Sequence, residues 1–241
     1  MTSPNGTLAA PGSRSGLAGP TSSGVAARAG GGGAGGGARK TTGGTPATAV
    51  IACGALAGHV REIVTRREWE LRVHSLPAIL HNSPRDITPA VERLAGELAA
   101  EGWRVVVAYA DCGTYGELDA LCERLGLVRL PGLHCYDVLA GPDRIRALLE
   151  AEPGTYLLTD FLVRSFRKSV LESLGLDRYP ELMTDYFGHY QRVVWLAQEP
   201  DAELTRAAHE VAQTLGLPLT VIEVGVSLLE AALAQLATPV S

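Results

Sequence analysis

Residues 1–47 contain no aspartate and no glutamate, and scarcely a bulky apolar side chain. They consist almost wholly of Gly, Ala, Ser, Thr and Pro, with the run Gly30-Gly31-Gly32-Gly33 among them. Such a segment buries too little apolar surface to offset its ordering entropy, so a disordered tail is expected there. It shares basic, Ser-rich, acid-free character with transit peptides, but its glycine excess and lack of amphipathic spacing speak against that role. No apolar h-region marks a signal peptide, and no apolar run approaches the ~20 residues of a membrane span. Arg14, Arg28, Arg39 and Lys40 give the tail +4 while the whole chain is −5, which leaves −9 for the remainder. That balance argues against a nucleic-acid partner, because phosphate binding needs clustered Lys and Arg.

Several chemical signatures are missing as well. Cys53-Gly54-Ala55-Leu56-Ala57-Gly58 lacks the GxGxxG and Walker patterns, so no nucleotide is expected. No Gly-x-Ser-x-Gly nucleophile elbow is present, and no repeat recurs at solenoid spacing. The four cysteines include no CxxC pair. Without an export signal, a reducing, cytoplasmic setting is expected. There, spaced cysteines are metal ligands or reactive thiols more often than disulfides.

What is present, from Thr48 onward, is an alternation of apolar runs and amphipathic stretches. Ala49–Ala52, Val105–Tyr109, Thr155–Thr159, Arg192–Ala197 and Leu217–Glu223 read as strands. Trp69–Leu76 alternates as a half-buried strand, and Leu127–Leu130 reads as a short one. Between them lie helical patterns: Ala55–Arg67, a helix capped by Thr88-Pro89, Gly116–Leu125, Pro142–Glu150, a helix capped by Asp160, Tyr179–Phe187, a helix begun by Asp201, and Ser227–Leu236. This order predicts a single α/β domain over residues 48–238, with a mostly parallel, Rossmann-like sheet and helices on both faces.

In such sheets ligands bind beyond the carboxyl ends of the strands. Cys53, Cys112 and Cys135 each fall in a loop at that rim, near a helix start, where thiolate is favoured. Three thiolates from separate loops can hold zinc or an iron–sulfur cluster and leave a position open. Small buried core thiols are the plainer alternative. Cys122, on the apolar stripe of a helix, is read as core. Asp111, His134 and Asp137 flank the cysteine loops and are the catalytic candidates, as proton acceptors or as partners of a ligand; capping and turn formation would use the same residues. Tyr109, Tyr115 and Tyr136 lie near the same rim and are the candidates for lining a cofactor or small-molecule pocket. His59, His74, His81 and His209 are read as solvated or structural.

The motifs Ile51-Ala52-Cys53-Gly54, Tyr109-Ala110-Asp111-Cys112-Gly113, His134-Cys135-Tyr136-Asp137, Tyr156-Leu157-Leu158-Thr159-Asp160 and Tyr186-Phe187-Gly188-His189-Tyr190 together resemble the domain of unknown function 1638 family, over most of residues 48–236. That family brings no settled activity. The resemblance implies a link to one-carbon or corrinoid metabolism, because similar proteins are often encoded beside corrinoid-dependent methyltransferases. Corrinoid, and components of such methyltransferases, are the cofactor and partners it implies. Three function classes stay open at this point: a metal or iron–sulfur protein, a non-catalytic small-molecule-binding or accessory module, and a thiol-based redox enzyme.

Overall fold

The computed structural model describes residues 47–238; the tail expected over residues 1–47 lies outside that range, apart from Ala47. Two three-stranded parallel sheets form the framework. In the first, β1 (Thr48–Cys53) is central between β2 (Leu71–Leu76) and β3 (Arg104–Ala108). In the second, β5 (Arg192–Ala197) is central between β4 (Thr155–Thr159) and β6 (Leu219–Glu223). All six residues of β1 are buried, as expected of a strand covered on both faces.

The α/β class is as expected, but the strands divide between two sheets. Among the described residues, the outer edge of β3 carries no further strand. Residues 127–130, predicted as a strand, give only an isolated bridge between Val107 and Arg129. Val107 N–H donates to Val128 O, and Leu130 N–H donates to Val107 O. This short extended stretch thus pairs with the edge of β3 at a single residue.

Nine helices are seen among the described residues: α1 (Ala57–Arg66), α2 (Ile87–Ala100), α3 (Glu117–Leu125), α4 (Cys135–Ala140), α5 (Pro142–Ala151), α6 (Asp160–Phe166), α7 (Met183–Phe187), α8 (Ala202–Leu215) and α9 (Ser227–Ala237). Asp201 caps α8 as expected, its carboxylate accepting from Leu204 N–H at 2.7 Å. Two other caps differ. α2 begins one residue before Thr88, so the Thr88 hydroxyl is buried without a partner instead of capping. Thr159, not Asp160, caps α6, and Asp160 becomes its first helical residue. The helix expected to run on from Asp160 also changes pitch, with Arg167–Glu172 wound as a π-helix.

α9 returns to the first sheet. Leu229, Leu233 and Leu236 join the core formed by β1, β3 and α1. Arg104, at the start of β3, donates to the Leu236, Ala237 and Thr238 carbonyls, closing the end of α9. Glu230 pairs with Arg66 and Arg67 of α1.

Gly54 fixes how the loop after β2 meets the end of β1. A Cβ there would lie 2.5 Å from both Ala78 N and Leu76 O. Both are backbone atoms that cannot swing away. Gly54→Ala is therefore expected to cost about 2 kcal/mol and to lower the thermal midpoint by about 4–8 °C. A thermal unfolding scan with an unchanged midpoint would show that this close approach is not needed.

Candidate functional site

Parallel strands end on one side, so the loops after β1, β2 and β3 share a rim. Cys53 is the last residue of β1 and is fully buried. After β2 the chain turns through two short 3₁₀ segments, Ala78–Asn82 and Pro84–Asp86. The first delivers His81, whose Nε2 lies 3.6 Å from Cys53 Sγ while its Nδ1 meets Ala78 O at 2.9 Å. After β3 comes Cys112, whose thiol also contacts the His81 ring.

The loop carrying Cys112 is tightly coiled. Cys112 (φ 54°) and Tyr115 (φ 53°) adopt left-handed backbone, which costs a side-chain-bearing residue about 1–2 kcal/mol. Asp111 holds the coil. Its carboxylate accepts from the N–H groups of Gly113, Tyr115 and Gly116 and from the Thr114 hydroxyl, at 2.9–3.1 Å. Burial pushes that carboxyl up, but the four donors outweigh it and hold it below the usual carboxylate range.

This depressed value makes Asp111 an acid-sensitive latch. A folded value below the unfolded one gives stability that is present above pH 3.8 and lost as the pH falls through the folded value. Asp111→Asn is expected to flatten that part of the stability curve and to be less stable at neutral pH. Urea titrations between pH 3 and 7 check this; parallel curves for the two proteins would refute it.

The Cys112 and Cys135 loops are joined directly. Cys112 N–H donates to Leu133 O at 2.8 Å, and Asp111 N–H donates to Gly132 O at 3.1 Å. Asp137 turns back to accept from the N–H groups of Leu133 and His134, at 2.7 and 3.2 Å. It is nearly buried and orders the start of α4, where Cys135 is the first residue. Burial pushes the Cys135 thiol up, and negative charge on Cys112 and Cys53 pushes it further. Cys53 and Cys112 therefore both contact His81, and Cys135 lies near enough to feel their charge. Cys122 stays on the inner face of α3.

His81 is the residue that sequence reasoning passed over. Burial pulls its imidazole down, but contacts with Cys112 and Cys53 and their negative charge raise it from 6.5 to about 11. The available signal was its place in the loop after a strand parallel to β1. Tyr109 stacks on this ring, with centroids 6.1 Å apart and planes 13° apart. It is fully buried, and its hydroxyl has no hydrogen-bond partner. Burial, then the charges on Cys53 and Cys112, push that phenol well above its usual range.

The remaining candidates separate. Tyr136 points toward the second sheet, its hydroxyl donating to Leu157 O at 3.4 Å. Tyr115 does not join the site, since its side chain is 85 % exposed. His134 packs at a tilt against Tyr136, 6.3 Å between ring centroids. No three ligand atoms among Cys53, His81, Cys112 and Cys135 come within 4.8 Å of one another; among the described residues only His59, Glu62 and Glu199 do.

Fold and site together define an α/β protein with buried cysteines and His81 at the carboxyl rim of a parallel sheet. The chain belongs to the DUF1638 family of proteins of unknown function, whose model matches residues 75–233. The match starts inside β2, so His81, Cys112 and Cys135 fall within it while β1 and Cys53 precede it. No curated protein and no solved structure matches the chain. No helix among the described residues is long and apolar enough to cross a membrane.

Proposed function

We propose that the protein binds a soft metal through Cys53, Cys112 and Cys135, with His81 as a fourth donor, and that this centre is its functional element. The supporting observation is the His81 ring, held 3.6 Å from Cys53 Sγ and also in contact with Cys112, so that donors from three loops lie together.

Two donor geometries fit. Bonds of 2.3 Å to sulfur and about 2.05 Å to nitrogen at the tetrahedral angle put the two donors about 3.6 Å apart. The Cys53–His81 separation of 3.6 Å has that value for one donor pair, but the full set would have to draw in to hold one zinc ion. The wider spacing of the full set favours an iron–sulfur cluster, whose ligands sit on different irons. Either group would act as a Lewis acid or electron carrier, and a small molecule would reach it by displacing His81. Asp111 and Asp137 would shape the two cysteine loops; His134, beside Cys135, remains the candidate for proton transfer. Tyr109, stacked on His81, would wall the site.

Anaerobic purification followed by iron, sulfide and zinc analysis and a visible spectrum tests this reading. Protein free of all three, still free after reconstitution, would overturn it. The link to corrinoid and one-carbon chemistry rests on family resemblance and is proposed with it. Stabilisation by added cobalamin in a thermal shift assay would support it; if that persists in Cys112→Ser protein, a binding or accessory role is favoured over one centred on the metal.

A second reading follows from the same contact. A cysteine beside an imidazole is also the arrangement of a thiol nucleophile or redox enzyme. Rapid alkylation of Cys53 or Cys112 near neutral pH in metal-free protein, set against slow alkylation of Cys122, would favour it.

A further inference from the structure

A second cluster of donors lies in a cleft between the carboxyl ends of the two sheets. Gly54, His59 and Glu62 line one side; Phe161, Arg164 and Glu199 line the other. His59 is only 8 % exposed, yet its Nδ1 has no hydrogen-bond partner. It faces Glu62 Oε2 across 4.0 Å, too far for a hydrogen bond. Glu199 approaches from the opposite half, and one ligand atom from each of the three residues lies within 4.8 Å of the others.

The backbone holds these groups in place. His59 and Glu62 are spaced i, i+3 on α1 and share a face. Glu199 sits in the turn after β5. There, Gln198 N–H and Glu199 N–H donate to the two oxygens of the buried Asp160 carboxylate, at 3.0 and 2.9 Å. Donors bonded to one ion at 2.0–2.2 Å sit about 3–4 Å from each other, so a small inward movement completes the set.

We propose that His59, Glu62 and Glu199 form a divalent-cation site that ties the two sheets together, separate from the cysteine centre. One imidazole and two carboxylates suit Mn²⁺, Fe²⁺ or Zn²⁺, unlike the all-soft set around Cys112. Three protein ligands leave positions open. Arg61 and Arg164 line the same cleft, so those positions suit an anionic oxygen ligand.

Mn²⁺ is the probe, because thiolates compete poorly for it. Chelator-stripped full-length protein is titrated with Mn²⁺ while free Mn²⁺ is followed by electron paramagnetic resonance. One equivalent is expected to bind, both in wild type and in a variant with Cys53, Cys112 and Cys135 changed to Ser. Glu199→Gln, at an exposed position, is expected to weaken binding by at least about 10-fold. Wild type that binds no Mn²⁺, or Glu199→Gln and Glu62→Gln proteins that bind like wild type, would overturn the proposal. Should the triple cysteine variant fail to fold, wild type against Glu199→Gln still decides.

Discussion

Cys112→Ser protein, purified without oxygen, is expected to carry at least about 10-fold less iron or zinc than wild type while keeping its circular dichroism spectrum. Cys112 is the member of the set with the most connections: His81 contacts its sulfur, Cys135 feels its charge, and its N–H joins the two cysteine loops. Serine keeps the left-handed backbone and the N–H bond but replaces a soft thiolate with a hydroxyl that a soft metal binds poorly. Cys122→Ser, in the core of α3, is the control and should keep its metal. Equal metal content in the two variants would remove the case for a cysteine centre. Protons compete with the metal for the sulfurs and for His81, so affinity should rise with pH and uptake should release protons.

The second large effect concerns Asp160. Its fully buried carboxylate accepts from Trp195 Nε1 at 2.9 Å and from the N–H groups of Gln198 and Glu199 at 3.0 and 2.9 Å. Its own N–H donates to Gln198 Oε1 at 2.9 Å. Alanine would leave those donors without an acceptor beneath the end of β5. At about 1–3 kcal/mol for each unpaired buried group, with partial relaxation, the loss should be roughly 3–5 kcal/mol. For a domain of this size that is a fall of roughly 10 °C or more in thermal midpoint. Asp160→Asn keeps one acceptor and should lose less. A shift under about 2 °C for Asp160→Ala, by calorimetry, would show that water replaces the carboxylate.

The α/β alternation, and the places of Cys53 and Cys112 after parallel strands, were legible in the sequence because both follow from short-range pattern. Apolar runs such as Val105–Tyr109 announce buried strands, and loops after parallel strands share a side. Sheet membership was not legible, because it depends on whether residues 127–130 pair as a strand or only bridge to Val107, a choice made by tertiary packing. His81 was hidden for a similar reason. Its role depends on the 3₁₀ turn of residues 78–82 and on Gly54 allowing that turn close approach, and neither leaves a periodic trace. Asp111 and Asp137 were found as loop acids, but only coordinates reveal how completely the Asp111 carboxylate is engaged by its own loop.

The clasp between Arg104 and the end of α9 has a consequence for biosynthesis. Its partners are separated by 132–134 residues. At ~5–20 residues per second, roughly 7–27 s pass between the emergence of β3 from the ribosome and that of the helix that covers it. During that interval the surface later occupied by Leu229, Leu233 and Leu236 is open to water. Nascent chains stalled before α9 should therefore be protease-sensitive and recruit chaperones, while release of the last helix lets the first sheet close.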